Sequence, residues 1–309
     1  MAGPGEFWAI TAYFNPLRYR TRRENYRRFK DNIGCNLLAV ELGFDGAFDL
    51  GADDADILVR RSSGSVLWQK ERLLNIALES LPSSATHVAW VDCDIVFMRQ
   101  DWVVRAREAL ENDRVVQLFE HLVDLKPGET HESPDLSPTG LGFAAWMSLG
   151  SPRNTDRGPN VRLGTPGFAW AAPRDLLAKH GFYDALVLGG GDRAFSSAAS
   201  GDFEDSKNIS RLSPLRMDHY MRWAQPIHQD IAMKIGFIDN TVYHYWHGER
   251  KDRGYNTRHR GFVGYDFDPE RDITLSSEGT WVWGSDKKDM HAYVEKYFRD
   301  RHEDGSLGS

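Results

Sequence analysis

The order of the apolar runs constrains the fold most. From Phe7 to about Asp113, β-branched and aromatic runs alternate with longer, helix-spaced ones. FWAITAYF (Phe7 to Phe14) reads as a strand closed by Asn15 and Pro16. In residues 17–33, Leu17, Tyr26, Phe29 and Ile33 fall loosely on one helical face, and arginines cover the rest as a solvated surface. NLLAVEL (36–42) and ADILVRR (55–61) read as further strands, and VLWQKERLLNIALESL (66–81) as a mostly apolar helix stopped by Pro82. HVAWVDCDIVF (87–97) is a long buried strand, followed by a helix in 101–113. Strand and helix in alternation argue for an α/β fold, a mostly parallel twisted sheet with helices on both faces. Ligands of such sheets bind at the carboxyl ends of the strands.

The second half is less regular. Residues 123–165 carry Pro127, Pro134, Pro138, Pro152 and Pro159 and read as a long functional loop. PGFAWAAPRDLLAKHGFYD (166–184) returns to strand and short helix, and 196–213 is polar enough to read as an insertion. Residues 219–238 look partly helical despite Pro226, and DNTVYHYWHG (239–248) is a late strand. A chain of 309 residues with 41% hydrophobic content can bury a real core. The expectation is one domain over 1–302, with a nucleotide-binding half (1–122), an acceptor and metal half (123–302), and a disordered tail at 303–309.

The net charge of −7 disfavours nonspecific nucleic-acid binding. No apolar window is long enough for a membrane span, and no leader pattern opens the chain. Cys35 and Cys93 make no disulfide framework, which fits a reducing compartment and a cytoplasmic location.

Chemistry gathers in three places. Asp92 and Asp94 close the long apolar strand, and strand alternation predicts that they point the same way. Two such carboxylates either cap a loop in water or hold a hard divalent cation, Mg2+ or Mn2+. His244 and His247 end the late strand, and Arg250, Lys251, Arg253 and Arg258 follow in a glycine-containing loop suited to phosphate oxygens. An imidazole ligand favours Mn2+. Gly189 to Gly191 precede Asp192, a carboxylate that could take a proton from a hydroxyl. Trp146, Trp170 and Trp223 could stack on a sugar ring, although core packing is the stronger reading for each.

Four blocks in order, WQKERLLNIAL (68–78), WVDCDIVF (90–97), GFAWAAPRDLLAKHGFYDALVLGGGD (167–192) and HYWHGERKDRGYNTRH (244–259), resemble GT-A-fold (Rossmann-like) glycosyltransferases. The set is most similar to the inverting β-1,4-galactosyltransferase-like group. The resemblance implies a transferase using a nucleotide diphosphate sugar, a UDP-sugar foremost, with a carbohydrate or other hydroxyl-bearing acceptor and a Mn2+ (or Mg2+) cofactor. It implies that Asp94 and His247 bind the metal, with Asp92 on the metal or the donor. Thr11, Tyr13, Asn15, Lys70, Arg72 and Asn75 would lie near the nucleotide, Arg250 and Arg253 on the diphosphate, and Asp192 would be the general base. Gly190, Gly191 and Trp170 would line the acceptor side. The family's Glu before the catalytic Asp is Gly191 here, and Arg193 stands where a further acid is usual. A sugar-phosphate nucleotidyltransferase would share strand-end aspartates and Mg2+, but AYFNPLRYRTRRENY lacks that class's glycines. A non-catalytic carbohydrate-binding protein and a glycosyltransferase acting on modified nucleic acid are the remaining readings.

Overall fold

The structure is a computed structural model describing residues 5–151, 162–255 and 257–305. Its opening elements follow the apolar order: β1 (Glu6–Phe14), α1 (Arg20–Asn32), β2 (Asn36–Leu42), β3 (Ile57–Arg61), α2 (Lys70–Ser80) and β4 (Ala85–Val91). Next come β5 (Ile95–Phe97), α3 (Trp102–Leu110), β6 (Val115–Gln117), β7 (His121–Asp124), β8 (Gly140–Gly142), α4 (Phe143–Ser148), β9 (Arg162–Thr165) and β10 (Ala169–Pro173). Helices α5 (Arg174–His180), α6 (Gly191–Ser200), α7 (Phe203–Ser210) and α8 (Pro214–Ile231) precede β11 (Ile235–Phe237) and β12 (Thr241–His244). The chain continues through α9 (Arg258–Phe262), β13 (Ile273–Leu275) and β14 (Trp281–Trp283) to α10 (Lys288–Arg299).

The main sheet has the order β11-β6-β10-β4-β1-β2-β3 and is parallel except for β10, which runs against β4 and β6. Alternation along β1 sends Trp8 and Ile10 into one core and Phe7, Ala9 and Tyr13 into another. The first core takes in α2, α5, α6 and α8 through residues such as Leu73, Leu176, Phe195 and Tyr220, and the second takes in Tyr26 and Phe29 of α1 and Trp102 of α3. The expected α/β sheet, covered on both faces, is therefore present.

A second sheet has the order β5-β12-β7-β8-β9. It corrects the reading of 87–97 as one strand. The long apolar run leaves the main sheet at Val91, turns through Asp92, Cys93 and Asp94, and re-enters pairing as β5 against β12. The two carboxylates therefore sit on a turn, and strand alternation does not set their directions. Residues 123–165 are likewise more regular than their prolines suggest, since they supply β8, α4 and β9 and the end of β7; Pro152 and Pro159 fall outside the described residues.

The polar stretch 196–213 is helical. Small buried residues Ser196, Ser197, Ala198 and Ala199 let α6 pack closely, and the Asp202 carboxylate accepts the Asp205 N–H at 3.3 Å to start α7. Pro226 lies within α8. The tail also departs from expectation, because a buried charge fixes its start. Glu303 is 1% exposed, and Asp304 accepts the Arg20 and Thr21 backbone N–H groups at 3.0 and 2.8 Å. Among the described residues, no helix is long and apolar enough to cross a membrane.

Candidate active site

A cleft of about 560 Å³ opens at the carboxyl ends of β1 and β4, with the second sheet as its far wall. Register builds its first constellation. Ile95 of β5 pairs with His244 of β12, and His244 pairs in turn with Asp124 of β7. Asp94, one residue before Ile95, is thereby set beside the two histidines. Its Oδ2 lies 3.1 Å from His247 Nε2 and 3.9 Å from His244 Nε2, and the two Nε2 atoms are 3.1 Å apart. The ligand atoms of Asp94, His244 and His247 all fall within 4.8 Å of one another.

Behind them the Asp124 carboxylate accepts from His244 Nδ1 at 2.9 Å, which turns Nε2 into the cluster. Burial, then Arg253, lowers the His247 pKa to about 3 against the pull of Asp94, so this ring is neutral at pH 7. Burial opposes the Asp94 carboxylate, but His247, His244, Arg22 and Arg253 outweigh it and hold its pKa below the ordinary value. Asp94 Oδ1 is buried without a hydrogen-bond partner. One carboxylate, two imidazoles and an orphaned oxygen fit a divalent cation.

The second constellation is acidic. The Lys70 ammonium, on the first turn of α2, donates to Asp92 Oδ1 at 2.6 Å and to Asp192 Oδ1 at 2.7 Å. It thus ties the Asp92 turn to the start of α6. Burial pushes the Asp92 carboxyl up to about 7, with Lys70 opposing. Glu71 is raised to about 8 by burial, again against Lys70. A neutral Glu71 supports α6 from below: a Cβ on Gly191 would come within 2.0 Å of its Oε1. Gly190, at φ +112°, makes the turn that presents Asp192 to the cleft.

The third feature is a guanidinium wall. Glu303 pairs with Arg22 at 2.6 Å and Arg301 at 2.5 Å, and its Oε2 stands 3.9 Å from His247 Nδ1. Arg162 pairs with Asp124. Arg253 donates to the His247 carbonyl at 3.4 Å and to the Tyr255 hydroxyl at 3.2 Å. Arg250 and Arg258 lie over the Tyr255 ring at 5.3 and 5.1 Å.

Lys70, Asp92, Asp94, Gly190, Asp192, His247, Arg250 and Arg253 all line this cleft. The other candidates lie elsewhere. Ala12 and Phe14 face the cleft, so Thr11 and Tyr13, of opposite parity on β1, turn away. Thr11 Oγ1 donates to the Val91 carbonyl at 2.7 Å, while Tyr13 and Asn15 donate to Asp49 at 2.8 and 2.9 Å. Arg72 and Asn75 cannot share a helix face with Lys70 and instead hold Asp184, at 3.2 and 3.0 Å. Trp170 is 1% exposed and stacks on Trp90 in the core. Gly191 packs on Glu71 and does not line the cleft.

His244 was legible as a strand-end histidine three residues before His247; its place as a third donor, and Asp124 behind it, come from the β5-β12-β7 register. Arg22, Arg162 and Arg301 also line the cleft, and no local sequence signal marks them for it.

No protein-family model and no curated protein sequence matches the chain. Among solved structures it is similar to a mannosyltransferase from Pyrobaculum calidifontis in complex with GDP-Man and Mn2+, at TM-score 0.44 and 14% identity, covering 95% of this chain and 70% of that one. It is similar to S. aureus TarS at TM-score 0.38 and 12% identity, covering 74% of this chain and 72% of that one. It is also similar to 4-diphosphocytidyl-2C-methyl-D-erythritol synthase from Anaerococcus prevotii at TM-score 0.36 and 12% identity, covering 76% of this chain and 87% of that one.

Proposed function

We propose that the protein is a metal-dependent glycosyltransferase of GT-A type, moving a sugar from a UDP-sugar to an acceptor hydroxyl with inversion. The Asp94, His244 and His247 cluster carries this reading. It faces a guanidinium wall and is linked through Asp92 and Lys70 to a second carboxylate, Asp192. Those three donors would hold a divalent cation, which neutralises charge on the leaving diphosphate. Arg250 and Arg253 approach the same region and bind diphosphate oxygens. Asp192 Oδ1 is held by Lys70, and Oδ2 lies near Gly167, 3.0 Å from where a Cβ there would be.

In the reaction, the acceptor oxygen forms a bond to the anomeric carbon while the bond from that carbon to the diphosphate breaks. The electron pair leaves with the diphosphate, and the hydroxyl proton passes to Asp192. Lys70 keeps Asp192 next to the Asp92 turn, so base and donor stay in register.

Calorimetry of UDP binding with and without Mn2+ tests the reading. The wild type should bind UDP in a Mn2+-dependent manner, and Asp94→Ala, His244→Ala and His247→Ala should each lose about tenfold or more. Asp192→Asn should keep that binding while losing about 10²–10⁴ in transfer rate. UDP binding that ignores Mn2+ in all four proteins would sink the proposal.

A further inference from the structure

The cleft carries more positive charge than a sugar nucleotide uses. Cleft-lining Arg22 and Arg301 are balanced by Glu303, Arg162 by Asp124 and Arg193 by Asp205. Arg250, Arg253 and Arg258 also line the cleft and have no carboxylate partner among the described residues. Their neighbours are phenols, a carbonyl and an imidazole. Arg253 is 8% exposed, and its Nε is buried with no partner. A buried guanidinium without a directly paired carboxylate is costly, so Arg253 is placed to receive an anion. A diphosphate brings about one negative charge per phosphate, and a divalent cation offsets that pair. With Arg250 and Arg253 taking the diphosphate, Arg258 is left without an anion.

Position assigns the surplus. Arg258 Nε donates to His259 Nε2 at 3.2 Å, and that nitrogen lies 3.8 Å from where a Cβ on Gly190 would be. Gly190 is two residues before Asp192, and Arg193 is one after it. Arg258, Arg193 and Asp192 line the same cleft, and the Arg193 pair with Asp205 is made through Nη1 alone. We infer that the acceptor is itself anionic, a hydroxyl compound bearing a phosphate ester that Arg258 and Arg193 bind while its hydroxyl meets Asp192. The inference rests on the transferase reading and adds the acceptor's chemical class. The ester can belong to a small molecule or to a phosphodiester chain, and both present the same oxygens to a guanidinium.

The test holds UDP and Mn2+ at saturation and titrates glycerol phosphate, with glycerol as the neutral control and a short single-stranded oligonucleotide as the diester arm. The wild type should bind glycerol phosphate or the oligonucleotide saturably and ignore glycerol; the arm that saturates names the source. Arg258→Gln and Arg193→Gln should each weaken that binding about tenfold, and Arg258→Lys should recover part of it. UDP affinity should stay within about twofold in Arg193→Gln, and in Arg258→Gln it should fall less than the affinity for the anionic ligand. Absence of binding in both anionic arms, or equal binding in Arg258→Gln and Arg193→Gln, overturns the anionic acceptor while the donor reading stands. Failure of the wild type to bind UDP removes the donor reading and this inference together.

Discussion

At the residue scale, the candidate metal cluster depends on groups outside Asp94, His244 and His247. Asp124 fixes which nitrogen of His244 carries the proton, and it also anchors Arg162. Asp124→Asn keeps the shape but offers a weaker acceptor with no charge. We expect Mn2+ affinity to fall about tenfold to a hundredfold, with the apo protein's melting temperature moving far less than in Asp124→Leu. Competition with a metal-sensitive dye measures the first quantity and thermal melting the second. Undiminished Mn2+ affinity in Asp124→Asn would remove Asp124 from the centre. Cys93, although it lines the cleft between the two aspartates, is an inert thiol: burial, then Asp94, pushes its pKa up to about 12.

At the scale of elements, two short pieces do most of the placing. The turn from β4 to β5 hands one apolar run from the main sheet to the second sheet, and it leaves Asp92 facing Lys70 and Asp94 facing His247. Helix α6 starts on Glu71, where a Cβ on Gly191 would collide with the Glu71 side chain. Gly191→Ala must push α6 away from α2. It should cost about 1–3 kcal/mol in urea unfolding. It should also lower transfer more than UDP binding, because Asp192 rides on α6 and the metal cluster does not. A Gly191→Ala protein with wild-type unfolding midpoint and turnover would show that this contact can relax freely.

At the scale of the whole molecule, the end of the chain returns to the beginning. Glu303 lies between Arg22 of α1 and Arg301 and stands behind His247, so the C-terminal segment closes the back of the cleft. Burial opposes its charge, but Arg22 and Arg301 overcome that and hold its pKa well below the ordinary carboxylate value. A depressed carboxyl contributes stability that is present above its unfolded pKa of about 4.3 and is lost as pH falls toward the folded value. Glu303→Gln should therefore destabilise the protein by about 3–5 kcal/mol at pH 7, through two guanidinium groups left without their partner. The gap to the wild type should narrow as pH falls below about 4.5. Denaturant melts at pH 7 and pH 4 measure both, and a gap that does not change with pH would deny the pair its electrostatic origin.

The sequence by itself determined the strand and helix order as far as Val91, the mostly parallel sheet and the carboxyl-end location of the cleft, because apolar periodicity is local and dictates which faces must be buried. It also offered Asp94, His247 and Asp192 as candidates, since each lies at the end of an apolar or glycine run, and Lys70 through the family resemblance alone. It did not determine the parity of β1 at the cleft, the turn that splits 87–97, or the helices in 196–213, whose small polar residues resemble a loop until they are packed. Tertiary structure alone set Asp124 against His244, Lys70 between two aspartates and Glu303 behind the cluster. Those contacts join residues far apart in the chain, and only the pairing register and the packing of distant helices bring their charges within reach of one another.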